Sequence, residues 1–228
     1  MDGFSFPVEV LKTNRKKSLS IRVNGPNVQV RAPKSISDHR IKKLLEKRIP
    51  WIKAKLEEYQ RRPQSNNYRY VDGEIFKYLG RSYQLKVSVA DLQSVKLYKG
   101  KLWVYVNKND LHDSSKIKKL LEGWYQSRAQ EYLAKKTLQI SKQLGKNPSS
   151  ISVKNYRSRW GSCSSSGAIT YNWRIIKAPI KIIEYIVVHE LCHLIEHNHS
   201  PKYWKNVEKH LPLWKEYRSW LKDNGNNL

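Results

Sequence analysis

Apolar and polar positions alternate at the start of the chain. Phe6-Pro7-Val8-Glu9-Val10, Leu19-Ser20-Ile21-Arg22-Val23 and Val28-Gln29-Val30-Arg31-Ala32 repeat with the period of two that marks strands buried on one face. Asn24-Gly25-Pro26-Asn27 predicts a hairpin turn between the last two. Beyond Ser37-Asp38 the period lengthens. Ile41, Leu44, Leu45 and Ile49 share one helical face, and Pro50 should kink that helix or start a second one through Trp51, Ile52 and Leu56. Residues 60–67 are polar and aperiodic, as in a linker. Strand and turn patterns return from Tyr68 to Asn107, with turn points at Asp72-Gly73, Leu79-Gly80 and Lys99-Gly100. Asp113-Ser114-Ser115 opens a helix in which Ile117, Leu120, Leu121, Trp124, Tyr125, Ala129 and Tyr132 keep helical spacing, and Gly145 can end it. The last third predicts a strand from Ile151 to Tyr156, a strand from Ala168 to Asn172, and a helix from Pro179 to about Glu196. Short helices should follow from Pro201 and from Pro212. The fold class is α+β. Its expected segments are a strand and helix region over 1–62, a hairpin region over 68–110 and a C-terminal domain over 111–228, an organisation that also allows the three to form one compact unit.

Composition narrows the class. The 228 residues carry 44 Lys+Arg against 19 Asp+Glu, a formal charge of +25, and are 39% hydrophobic, enough for a sizeable core. Such a charge suits encounters with polyanions, so non-specific nucleic acid is a candidate partner. The densest basic stretches are Arg15-Lys16-Lys17, Arg40 to Arg48 and Lys116-Lys118-Lys119. No zinc-finger, RNP or Gly-rich phosphate-binding signature accompanies them. No apolar run approaches the roughly 18 residues that span a bilayer, and Met1-Asp2-Gly3-Phe4 does not begin a signal peptide. Two cysteines, Cys163 and Cys192, argue for a reducing compartment. A cytoplasmic protein without membrane association is expected.

The chemistry lies in Ile186-Val187-Val188-His189-Glu190-Leu191-Cys192-His193-Leu194-Ile195, a His-Glu-x-x-His pattern in an otherwise uncharged stretch. Helical residues four apart share a face, so His189 and His193 can hold one metal ion. Glu190 follows the first ligand directly and can reach water activated by that ion. The apolar frame speaks against accidental histidines, because an unliganded cluster of this kind is costly to bury.

A catalytic zinc site needs one more protein ligand and keeps a position open. His197 and His199 are both close by. On a continuous helix His197 would stand about 12 Å along the axis from His189. Asn198 can adopt the left-handed conformation that ends helices, and Ser200-Pro201 is a cap followed by a first-turn proline. This geometry favours a turn at Asn198 that returns His199 to the metal, over His197 as ligand. Upstream, the strand Ala168 to Asn172 could offer an edge to an extended peptide. Arg159 could hold an anion or a carbonyl oxygen, or form a surface ion pair. Arg159, Asn172 and Tyr203 are the candidate substrate-binding residues.

Arg159-Trp160-Gly161-Ser162-Cys163, the Tyr171-Asn172 strand end, the Tyr185 to Leu194 segment, Asn198-His199-Ser200 and Tyr203-Trp204 resemble the YgjP-like metallopeptidase family, which is akin to the SprT-like and WLM metallopeptidases. Weaker matches extend the resemblance over the whole chain. It implies a zincin-like C-terminal domain with the metal helix packed on a small sheet, zinc ligands at His189, His193 and His199, and Glu190 as catalytic acid/base. Tyr203 stands where the family usually has phenylalanine, and Glu184 where it has aspartate. The expected function is zinc-dependent peptide hydrolysis. The alternatives are a metal-dependent nucleotide pyrophosphohydrolase, which should show Arg157, Arg159 and Arg174 facing the metal, and a protease acting on nucleic-acid-bound proteins.

Overall fold

The computed structural model describes residues 3–14, 18–61 and 67–228, which form parts of two compact units, Met1–Gln64 and Ser65–Leu228. The basic stretch at 15–17 and residues 62–66 of the expected linker lie outside the described residues.

The first unit is a small sheet with one helix. Strands β1 (Val8–Thr13), β2 (Ser20–Asn24) and β3 (Asn27–Pro33) lie in the order β1-β3-β2, with β1 parallel and β2 antiparallel to β3. The inward residues of β3, Val28, Val30 and Ala32, are buried in one apolar cluster with Ile41, Leu45 and Ile52 of helix α1 (Asp38–Arg61). Helix α1 is one element and runs through Pro50. The missing N–H of that proline removes one ladder bond, but buried residues on both sides hold the helix to the sheet.

The second unit begins with β4 (Ile75–Tyr78), β5 (Arg81–Val89), β6 (Ser94–Tyr98) and β7 (Lys101–Val106), ordered β4-β5-β7-β6. Both hairpins close through two residues of positive φ, Leu79-Gly80 (50° and 79°) and Lys99-Gly100 (47° and 71°). This is the twist-matched turn that favours glycine second. Helix α2 (Ser114–Leu144) follows. The Asp113 side chain caps its first turn by accepting from the N–H groups of Ser115 and Lys116, and Gly145 ends it at φ 66°. Buried residues every fourth position, from Ile117 through Tyr125 to Leu133, carry α2 into a core shared with Phe76, Leu85 and Leu102 of the first sheet and Ile169, Trp173 and Leu191 of the C-terminal region. Segments 68–110 and 111–228 therefore lie within one compact unit.

Strands β8 (Ser150–Lys154), β9 (Gly161–Cys163) and β10 (Ala168–Asn172) make a second sheet, ordered β8-β10-β9. Three expectations change in this region. β10 is the central strand, paired on both sides, so it offers no edge to a peptide. The outer strand on one side is β9, too short and too irregular in pattern to be read from sequence. Helix α3 (Ile180–Cys192) packs against α2, β9, α4 (Pro201–His210) and α5 (Trp214–Asn224). It stops at Cys192 rather than near Glu196, and α5 begins at Trp214 rather than at Pro212. Among the described residues, no helix is long and apolar enough to cross a membrane.

Candidate metal centre

Helix α3 is apolar on nearly every face, with Ile182, Ile183, Ile186, Val187 and Leu191 buried, so its polar C-terminal turn is held rigidly in the core. His189 and His193 stand one turn apart with ring centroids 5.1 Å from each other. Beyond Cys192 the chain tightens. Leu194 N–H donates to Leu191 C=O and Ile195 N–H to Cys192 C=O, both at 3.0 Å, bonds of the three-residue type that close helix ends. The expected left-handed turn at Asn198 is not used, since Asn198 is not among the residues of positive φ. The reversal is instead completed where Ser200 N–H donates to Asn198 C=O at 2.7 Å. The Ser200 hydroxyl then accepts from Tyr203 N–H and caps α4, with Pro201 in its first turn.

This path returns His199 to the helix end, with its Nε2 3.1 Å from Nε2 of His189. The donor atoms of His189, His193 and His199 all lie within 4.8 Å of one another. Two nitrogens each about 2.0–2.1 Å from a tetrahedral ion stand roughly 3.3 Å apart, so the spacing fits one shared cation. The ring contacts agree. His193 Nδ1 donates to Glu196 C=O at 3.2 Å, which leaves its Nε2 lone pair for a ligand. Among the described residues Nδ1 of His189 is buried without a partner, so Nε2 is its outlet. Burial holds His189 far below the ordinary imidazole range, at about 3, and the charges of His193, His199 and Arg218 act in the same direction. His193 and His199 are lowered too, chiefly by burial. All three imidazoles are therefore neutral near pH 7, the form that ligates metal. His197 borders the same cleft but is not part of the converging group.

Glu190 is 4% exposed and packs on the Cα of Gly161 in β9. Burial pushes its carboxyl up to about 8, against the opposing pull of Arg159. The cleft over these groups has a volume of about 610 Å³ and is lined by Gly161, Ser162 and Cys163 of β9, by α3 residues, and by Arg159, Arg218 and Lys222.

A family model described as "YgjP-like, metallopeptidase domain" matches residues 17–224. The chain belongs to the YgjP-like metallopeptidase family. No curated protein sequence matches it. Among solved structures, the metallopeptidase zymogen of Pyrococcus abyssi abylysin is 22% identical, with 42% of this chain and 98% of that chain covered and a TM-score of 0.38. The zymogen of Methanocaldococcus jannaschii jannalysin is 20% identical, covering 39% and 92%, with a TM-score of 0.36.

In this YgjP-like chain the expected substrate-binding residues separate. Arg159 does line the cleft. Asn172 is 3% exposed and its amide donates to the carbonyls of Tyr156 and Arg159, which fixes the segment leading into β9; it borders a neighbouring cavity and not the cleft over the histidines. Tyr203 is fully buried; its hydroxyl donates to His189 C=O at 2.9 Å and its ring stacks on His193 at 4.6 Å. It holds both histidines in place. Trp204 does the same for His199, stacking on it at 5.5 Å and on Trp214 at 4.2 Å. Sequence reasoning missed Arg218 and the task of Gly161. The Trp-Gly-Ser-Cys run hinted at the second, and nothing in the spacing of α5 hinted at the first.

Proposed function

We propose that this YgjP-like chain is a zinc-dependent peptidase in which Glu190 acts as general base and then general acid. The observation that carries the reading is the convergence of three imidazole donors, with the buried Glu190 side chain lining the same cleft. An all-nitrogen donor set of three histidines suits zinc and leaves a fourth position for reactants. A bound zinc ion would polarise the scissile carbonyl and acidify water. Glu190 takes a proton from the attacking water on a carboxylate oxygen, then delivers it to the nitrogen of the leaving amine. Burial raises the proton affinity of Glu190, as suits a group that must both accept and return a proton near neutral pH. The cation would draw that affinity down. Among the described residues β9 is paired on one side only, with β10, and its three residues line the cleft, so an extended substrate can add to its other edge.

A nucleotide pyrophosphohydrolase is less well supported. Of its three expected arginines, Arg159 alone borders the metal cleft, whereas Arg157 and Arg174 line a separate cavity of about 230 Å³ that Arg159 also reaches. The test is a side-by-side assay of zinc-loaded and chelated protein against a peptide library and a nucleoside triphosphate panel. Zinc-dependent cleavage of peptides supports the reading; turnover of nucleotides alone overturns it.

A further inference from the structure

The cleft over the histidines carries more positive charge than a general peptide-binding groove needs. Arg159, Arg218 and Lys222 line it, and Glu190 is its one carboxylate. The two arginines arrive on separate elements, Arg159 just before β9 and Arg218 on α5. Each guanidinium lies over an aromatic face, Arg159 at 5.5 Å from the Tyr156 ring centre and Arg218 at 5.1 Å from that of Trp204. Trp204 is itself fixed by its stack on Trp214. Stacking of this kind restrains the flat group and leaves its rim of N–H donors to a ligand. Among the described residues neither arginine forms an ion pair with a carboxylate within 4.0 Å, whereas Lys86, Arg128 and Lys136 each do.

We propose that Arg159 and Arg218 are specificity-determining residues that select peptides with a glutamate or aspartate close to the scissile bond. The proposal rests on the peptidase reading. Two stacked guanidinia, with a dication at the histidines, leave the cleft strongly positive; an acidic side chain is attracted, and a lysine or arginine there is repelled. A planar guanidinium also matches a carboxylate in shape through paired hydrogen bonds. Both arginines are exposed to solvent, so the attraction is screened and the expected preference is modest, about tenfold in kcat/KM for an acidic residue over its amide.

The experiment uses zinc-loaded protein and fluorogenic peptides in pairs that differ by glutamate or glutamine at each position flanking the cleaved bond. The parent should favour glutamate about tenfold at one or two positions, and the preference should shrink as salt rises. Arg218→Gln or Arg159→Gln should abolish it at one position, and Arg218→Glu should reverse it toward lysine there. Lys96→Gln, which removes a charge from β6, should leave it intact. As a readout independent of turnover, the tryptophan fluorescence of zinc-loaded Glu190→Gln protein should respond to the glutamate peptides at lower concentration than to the glutamine peptides, because Arg218 lies on Trp204. Equal cleavage of the pairs, or a preference that survives both arginine substitutions, overturns the selectivity while leaving the peptidase reading standing. Failure to cleave any peptide overturns both.

Discussion

Gly161 and Glu190 occupy the same small space, so that a Cβ built on Gly161 would meet Oε1 of Glu190 and stand 2.7 Å from both its Cγ and its Cδ. Gly161 has no positive φ to explain a glycine, so the close approach is the reason for it. Gly161→Ala is expected to push the carboxylate from its station and lower turnover about a hundredfold, the scale on which misplacement of about 1 Å acts. The three histidines should still hold zinc, as checked by metal analysis of the same sample.

Glu190→Gln preserves shape and removes the proton acceptor. Loss of general acid and base catalysis costs about 10²–10⁴-fold. The variant is expected to bind zinc and adopt the parent's fold while losing that much in kcat. Full activity at full zinc occupancy would exclude the role assigned to Glu190.

The donor geometry separates two neighbouring histidines. His199→Ala should lose zinc, because its Nε2 faces that of His189 at 3.1 Å. His197→Ala should retain it, since His197 is outside the converging group. Equilibrium dialysis of both variants against zinc decides this, and equal losses would overturn the assignment.

Burial raises the Glu190 carboxyl from 4.5 to about 8 in the metal-free fold. Between those values the folded protein keeps a proton that the unfolded chain has released, so stability falls as pH rises through that window. Glu190→Gln has no such proton. Urea unfolding of the two metal-free proteins should show the parent losing stability relative to the variant between pH 4.5 and pH 8. A gap independent of pH would show that the carboxyl is not held protonated.

On α1 the exposed cations Arg40, Lys43 and Lys47 follow one another along a single helical face, and Trp51, 41% exposed, continues the line one turn on. A basic stripe ending in an exposed aromatic suits a nucleic-acid backbone with a base to stack on. The protein is expected to be retained on immobilised DNA and to elute as salt rises, and joint replacement of Arg40, Lys43 and Lys47 by glutamate should weaken that retention. Retention unchanged by the replacements would place the interaction elsewhere.

Local rules made much of this structure legible. Asp113 and Gly145 bracket α2 because capping is a matter of a few adjacent residues, and Leu79-Gly80 and Lys99-Gly100 close their hairpins for the same reason. The His189 and His193 pair follows from helical spacing alone. The rest depends on partners distant in sequence. α3 ends early because the chain after Cys192 is drawn in by Tyr203 bonding to His189 C=O and by His193 Nδ1 bonding to Glu196 C=O. β9 exists through its pairing with β10, and Arg218 reaches the cleft because α5 packs on α3. Asn172 and Tyr203 read as polar site residues in the sequence, and their bonds to Tyr156, Arg159 and His189, which link distant positions, were not legible there.

The three imidazole donors fall within one short stretch, His189 and His199 being ten positions apart. Closing so small a loop costs little chain entropy, and the cost grows only slowly with loop length. The carboxylate, in contrast, is stationed against Gly161 of β9, outside that stretch. Retention of the ion and competence for chemistry are therefore separable properties of this chain. As denaturant or heat loosens the β8-β10-β9 sheet, a population should arise that still carries its metal and no longer turns over substrate, so metal content will overestimate the fraction of working molecules in an ageing preparation.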